Sequence, residues 1–416
     1  MGAGGASVSI RFFMIIMASL LFLPILGYRV LDLMSSRRSV PATVADVYDA
    51  KTLDKWKAYR IQSTRFDLIC SAVDFALILI LTGTDIVIHV ISSFEITHSM
   101  IITVPVAYVA CIRLVAGLVD YYRQMVIKKN YGLTRISKKT FWVRKILGIL
   151  LTIAWVAALS FILYVSYTQP VLQPDQKVLS ITPYLYVALY AVMLIVQHLL
   201  IPYIREKREH PQPLKEGTLR ERLFSLAEKV GYKGDIQIGQ SAEKFTNAAY
   251  YTLFGNKIVI YEQALEMMDE NTIVAVVLQE MGHAIHRDLP KRIMFSMISA
   301  AISIFTVWKA TQTLFSAFAS FDETVSIEYS LLTFLGIVTL YLFFGVKCYM
   351  TLKQVNDADE VAAIHGYGED LIEALKIMAR LDFEDLNPHP LKELLFDDYP
   401  SMNHRIRAIR AVETVY

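Results

Sequence analysis

Glu280 and His283 lie three residues apart in VVLQEMGHAIHRD, Val276–Asp288. On a helix, a histidine four residues before His283 would share its face, so both rings could reach one metal ion. A glutamate directly after that first histidine would then be poised to take a proton from metal-bound water. That arrangement is H-E-x-x-H, a hydrolytic zinc helix. Here the first position is Gln279, a neutral amide that could ligate only through its carbonyl oxygen. A catalytic zinc uses three protein ligands, usually His and Glu, with water at the fourth position. Taken alone, x-E-x-x-H is common and reads as an amphipathic helix with polar surface residues.

The elements that must hold this stretch are legible upstream of it. Pro211 and Pro213 open a small mixed region. A helix is expected over about 217–230, with Leu219, Leu223, Leu226 and Ala227 on one face and Gly231 as its stop signal. Two short strands follow, DIQIG (235–239) and KIVIYE (257–262), joined by FTNAAYYTLFGN (245–256) with its Gly-Asn turn signal. The second helix begins near Asp269, which can cap its first turn, and runs through TIVAVVLQEMGHAIH.

The rest of the chain is unlike a soluble protein. Of 416 residues, 55% are hydrophobic and 19% charged, with mean hydropathy +0.41, and the apolar residues are bunched. Seven membrane spans are expected, at roughly 11–28, 68–91, 99–119, 146–167, 183–203, 294–318 and 331–350. The loop after the first span carries eight basic residues from Arg29 to Arg65, and the loop after the third carries eight from Arg123 to Lys145. The alternate loops hold one, Lys177. The positive-inside rule then puts the N-terminus on the lumenal side and the C-terminus in the cytosol. Residues 204–293 and 351–416 share that cytosolic side. Asp74 and Arg113 are expected to face a protein interior or a watery cavity, while Asp85 and Asp120 sit near span ends. Cys70, Cys111 and Cys348 lie in apolar runs and read as small buried hydrophobes.

Several segments together carry a resemblance. SSRRSVPATVADVYDAKTLDKWKAYRIQSTRF (35–66) is a long basic first loop, VIKKNYGLTRIS (126–137) resembles E-x-K-x-G-F-N, and PLKEGTLRERLFSLAEKVGY (213–232) leads into the mixed region. TNAAY (246–250) resembles S-N-A-Y, QVNDADEVAA (354–363) resembles E-x-x-A-D-x-F-A, and YPSMNHRIRAI (399–409) resembles H-P-x-L-x-x-R-I-x-A-L. In this order and spacing they resemble the type I CAAX prenyl endopeptidases nearly end to end. The resemblance implies a seven-helix chamber with a small cytosolic α+β zincin-like domain in the endoplasmic reticulum or inner nuclear membrane. It also implies zinc as cofactor and a prenylated CAAX protein or peptide as substrate, with membrane lipid and no nucleic acid among the partners.

Carried over position by position, the resemblance keeps the scaffold better than the chemistry. The family's first zinc histidine falls on Gln279, its general base on Glu280 and its second zinc histidine on His283. The third ligand, a glutamate, falls on Val355, and the aspartate that orients a ligating histidine falls on Asp359. The C-terminal histidine, which the resemblance implies to assist at the reacting carbonyl, falls on Tyr399, which otherwise reads as an aromatic wedge packing the tail onto the domain. Asn247 and Ala248 fall on the substrate loop, where Phe245 replaces a further histidine, and Arg405 falls on the terminal arginine. His286 and Asp357 are the neighbours that could stand in as ligands, but neither spacing gives a tetrahedral set without shifting a helix by about a turn. Zinc is therefore expected to be absent or weakly bound.

The domain plan is 1–203 for spans one to five, 204–293 for the protease-like domain, 294–350 for spans six and seven, and 351–416 to complete the domain. Three readings follow: a pseudoprotease that holds prenylated or hydrophobic C-terminal tails, an active CAAX endopeptidase with an unusual ligand set, and a scaffold for other hydrophobic clients.

Overall fold

The computed structural model describes residues 3–84, 100–133, 136–168, 177–240, 248–252, 256–320 and 323–414. The chain divides into two compact units.

The first unit comprises 1–30, 62–191 and 297–342. It is built from parts of α1 (Ala3–Ser35), α2 (Ala50–Gly83), α3 (Met100–Tyr122), α4 (Lys138–Thr168) and α5 (Lys177–Ile195). Among the described residues four helical stretches are long and apolar enough to cross a membrane: Ile102–Asn130, Lys138–Ile162, Ile181–Lys207 and Asp288–Lys309. Leu, Ile and Val face outward along them, as lipid requires. Charges at the helix ends are paired. Arg123 reaches Asp67 at 2.6 Å and Asp120 at 2.7 Å, and Lys145 also pairs with Asp120. Asp74 and Arg113 are exposed, and Asp85 lies outside the described residues. Cys348 is buried as expected, whereas Cys70 is half-buried and Cys111 is exposed on α3. A thiol is apolar enough to face lipid, so the correction costs the helix little.

The second unit comprises 31–61, 192–296 and 343–416. After α6 (Ile201–Glu209) come β1 (Gln212–Pro213), α7 (Thr218–Val230), β2 (Asp235–Gly239), β3 (Ala249–Thr252) and β4 (Lys257–Tyr261). Then follow α8 (Glu262–Met267), α9 (Glu270–Ile285), α10 (Asp288–Ser320), α11 (Glu323–Ile364), α12 (Gly368–Asp382), α13 (Pro390–Leu395) and α14 (Met402–Glu413). α7 ends where expected, with Gly231 left-handed at φ 79°.

The sheet order is β1-β2-β4-β3. β2 runs parallel to β4, with Ile236 opposite Ile258, while β3 returns antiparallel and forms one edge. β3 occupies part of the stretch expected only to connect two strands. It is a four-residue edge strand, too short for alternation to register. All five residues of β4 are buried, so it is covered on both faces. The basic stretch after α1 packs onto the C-terminal helices of this unit: Trp56 Nε1 donates to the Phe383 carbonyl at 3.1 Å, and Tyr48 Oη to that of Ala379 at 2.9 Å.

Candidate functional site

α9 forms because Asp269 caps it and its inner face is continuously apolar. The Asp269 Oδ1 accepts the Thr272 amide at 2.8 Å, and Ile273 through Leu278 are all buried. Farther along, α9 meets α11 at very close range. A Cβ added to Gly282 would lie 2.9 Å from the Ala358 Cα and 3.1 Å from its carbonyl oxygen. A glycine against an alanine lets the two backbones approach closely, and this crossing joins the QEMGH helix to the QVNDADEVAA helix.

Glu280 projects toward β3. Its Oε2 accepts the backbone amide of Tyr251 at 2.9 Å. Enclosure pushes the Glu280 carboxyl above the ordinary carboxylate range, while His283, the Tyr251 amide and the guanidinium groups of Arg292 and Arg405 pull it back. One turn on, the His283 Nδ1 lies 2.8 Å from Oδ2 of Asp288, which is buried. A carboxylate there favours the proton on Nδ1 and leaves the Nε2 lone pair for another partner. A cavity of about 650 Å³, lined by Tyr232, Tyr251, Asn256, Ile285 and Arg287 among others, opens beside β3 and the end of α9.

The remaining expected residues fall into place unevenly. Gln279 is buried on α9, and Val355 is buried on α11 at 1% exposure. The Asp359 oxygens take Nε and Nη2 of Arg405 at 2.8 and 2.7 Å. The carboxylate on His283 is Asp288, and two of the Arg405 donors are held by Asp359. Ala248 is buried, its carbonyl accepting the Tyr261 amide at 3.0 Å, and Asn247 lies outside the described residues. Tyr399 is not a wedge, for it is 60% exposed. His286 caps the C-terminal end of α9, with its Nδ1 buried and without a hydrogen-bond partner among the described residues.

Two contributors escaped the sequence reading. Asp288 had a signal, an acidic residue five positions after His283. Tyr251 had none, since what it offers is a main-chain amide on a strand that was not foreseen.

Do these residues suit a catalytic zinc? A tetrahedral site needs three protein donors. Gln279 offers a neutral carbonyl oxygen, and Val355 offers nothing. Among the described residues no three His, Cys, Asp or Glu side chains converge as a metal set. The donor set does not fit.

Two family models match the chain. The N-terminal region of CAAX prenyl proteases, with five membrane helices, matches residues 30–204, and peptidase family M48 matches residues 213–413. CAAX prenyl protease 1 of Saccharomyces cerevisiae is 21% identical over 417 residues, covering 90% of this chain and 89% of the relative. A CAAX prenyl protease 1 homolog of Oryza sativa subsp. japonica is 23% identical over 416 residues, covering 90% and 91%. The crystal structure of S. mikatae Ste24p superposes with a TM-score of 0.68 at 18% identity, covering 96% of this chain and 98% of that one. At that identity the likeness shows the fold alone.

Proposed function

The chain belongs to the CAAX prenyl protease family of M48 peptidases, and on that footing we propose that it is a pseudoprotease. It binds prenylated or otherwise hydrophobic C-terminal tails at the membrane and does not cleave them. The observation that carries this reading is the pair of side chains at the ligand positions. Gln279 and Val355 stand on helices that Gly282 and Ala358 hold in close contact, so the scaffold that would bring donors together is kept while the donors are not. With His283 alone, binding is too weak to retain a metal, because each lost ligand removes much of the affinity.

Glu280, the vestigial base, then has no metal-bound water to activate, and Tyr399 has no metal-polarised carbonyl to assist. Asn247 and Ala248 on the loop, and Arg405 behind the site, are assigned to holding and framing the tail. Seven spans enclose the binding space, in the endoplasmic reticulum or inner nuclear membrane. The domain plan stays as drawn from the hydropathy, with 204–293 and 351–416 facing the cytosol. The sixteen basic residues of the first and third loops against a single lysine opposite support that orientation.

A second reading rests on Glu280 and on His283, which Asp288 still orients: an active zinc endopeptidase that removes the last three residues of prenylated CAAX proteins. Zinc content decides between the two. The full chain, purified in mild detergent with zinc present, is expected to hold far less than one zinc per polypeptide. It should bind a farnesylated CAAX peptide and leave it intact. Near-stoichiometric zinc, with cleavage abolished by a chelator, overturns the pseudoprotease.

A further inference from the structure

α13, the helix PLKELL of Pro390–Leu395, is built inside out. Lys392 is turned inward at 5% exposure, while Leu391, Leu394 and Leu395 stand outward at 51%, 53% and 45%. Positions i, i+3 and i+4 make one helical face. In a helix bounded by water that face would be packed inward and the lysine would be outside. The reversed order is what an apolar exterior selects.

The interior of the helix is furnished accordingly. Lys392 Nζ lies 3.2 Å from Asp32, 3.8 Å from Asp385 and 3.6 Å from Asp397. Arg60 pairs with Asp32 as well and reaches Asp385 at 3.4 Å. Two cations and three carboxylates are thus gathered beneath a leucine surface, while the Glu393 carboxylate turns aside to the Ser401 amide and the His404 ring. Buried charges hold only when they are paired.

The position of α13 along the chain is equally specific. Asp32 and Ser35 close the last turns of α1, whose apolar run ends at Tyr28-Arg29, and the Ser35 Oγ accepts the His389 amide at 2.8 Å. At 1.5 Å per residue, Asp32 lies about 5 Å beyond Arg29. At the other end of the segment, Lys347 of α11 pairs with Asp398 at 3.1 Å, next to Val346 and Tyr349, which are exposed as lipid-facing residues are. On α1 itself, Val30 and Met34 continue an exposed apolar stripe past Arg29. The segment is therefore moored to α1 and α11, the first and last of the seven spans in the membrane reading proposed above, on which this inference rests, and so within reach of the layer where acyl chains meet headgroups.

We infer that α13 is a monotopic membrane contact whose Leu391, Leu394 and Leu395 face dips into the acyl–headgroup boundary of the leaflet at the Arg29 end of α1. Bilayer contact is thereby not confined to the spanning helices. The cytosolic-side unit has a foot of its own in the lipid.

Single cysteines at positions 391 and 394 test it, introduced as Leu391→Cys and Leu394→Cys with Cys70, Cys111 and Cys348 changed to alanine, and Arg407→Cys as the aqueous reference. Each is nitroxide-labelled in vesicles of phosphatidylcholine and phosphatidylserine at about 4:1, and collision with oxygen and with a water-soluble nickel chelate is read by power saturation. Oxygen access several-fold above nickel access at 391 and 394, reversed at 407, is the expected result. Nickel access equal to that at 407 overturns the inference, because the face is then in water. Little access to either collider overturns it too, because another protein surface covers the face. So does loss of oxygen access on adding a farnesylated peptide, which would make the face a client groove. The unmodified chain gives an independent readout in vesicles carrying a lipid with a photoreactive acyl chain. Lipid adducts should appear on the tryptic peptide 393–405 at Leu394 or Leu395, and a peptide free of adducts beside labelled spans overturns the inference.

Discussion

Gly282 and Ala358 approach so closely that the methyl group Gly282 lacks would stand 2.9 Å from the Ala358 Cα. The two nearest atoms, the Cα and carbonyl oxygen of Ala358, are main chain, so they cannot swing aside. In an exposed helix Gly→Ala adds up to about 1 kcal/mol of stability. Here overpacking outweighs that gain, and Gly282→Ala is expected to lower stability by about 1–2 kcal/mol net. Thermal unfolding in detergent reads it, and an unchanged or raised midpoint would show that α11 can retreat from α9.

Arg405 and Asp359 form a buried bidentate pair. Asp359→Asn strands the guanidinium and is expected to cost about 3–5 kcal/mol, whereas Asp359→Leu combined with Arg405→Met removes both charges and costs much less. Arg405→Lys is not a substitute, since an ammonium cannot span both oxygens. Comparison of the three unfolding midpoints checks the order.

Restoring the missing donors should create a metal site if the scaffold is kept. Gln279→His, Val355→Glu and Tyr399→His together are expected to bring zinc to near one per chain by elemental analysis. In that background Asp288→Asn should weaken zinc binding about 10–100-fold, because an amide lacks the negative charge with which the carboxylate holds the His283 ring and raises its basicity as a ligand. Equal affinity with and without Asp288 would show that the contact does not orient the ligand.

The Asp269 cap carries a pH signature. Its hydrogen bonds from the Thr272 amide and hydroxyl hold the carboxyl below its ordinary 3.8. A folded value below the unfolded one gives stability that is present above about pH 3.8 and lost as pH falls through the folded value. Asp269→Ala should therefore cost about 1 kcal/mol at pH 7 and progressively less below pH 4. A gap between wild type and variant that stays constant down to pH 3 would refute it.

Much of this architecture is readable from residue order alone, and the exceptions share a cause. α7 and its Gly231 stop, β2, β4 and the Asp269 cap all declare themselves through side-chain type and local spacing. β3 does not, because four residues at a sheet edge are fixed by pairing with β4 rather than by their own alternation. The site divides the same way. Gln279, Glu280, His283 and Val355 follow from register within two helices, while the partners Asp288 for His283 and Arg405 for Asp359 depend on side chains meeting in space. Tyr399 stands exposed for the same reason, since no pattern within the tail specifies which surface it meets.

Among the described residues β3 is the outermost strand of its sheet, and the amide at Tyr251 is already held by Glu280. An extended chain laid along that edge would need this donor to continue the ladder. Docking there is consequently an exchange, in which the carboxylate must be evicted before the newcomer's carbonyl can take its place. Every peptide meets that same handicap whatever its side chains, so it lowers affinity across the board and leaves discrimination between tails to the contacts around them.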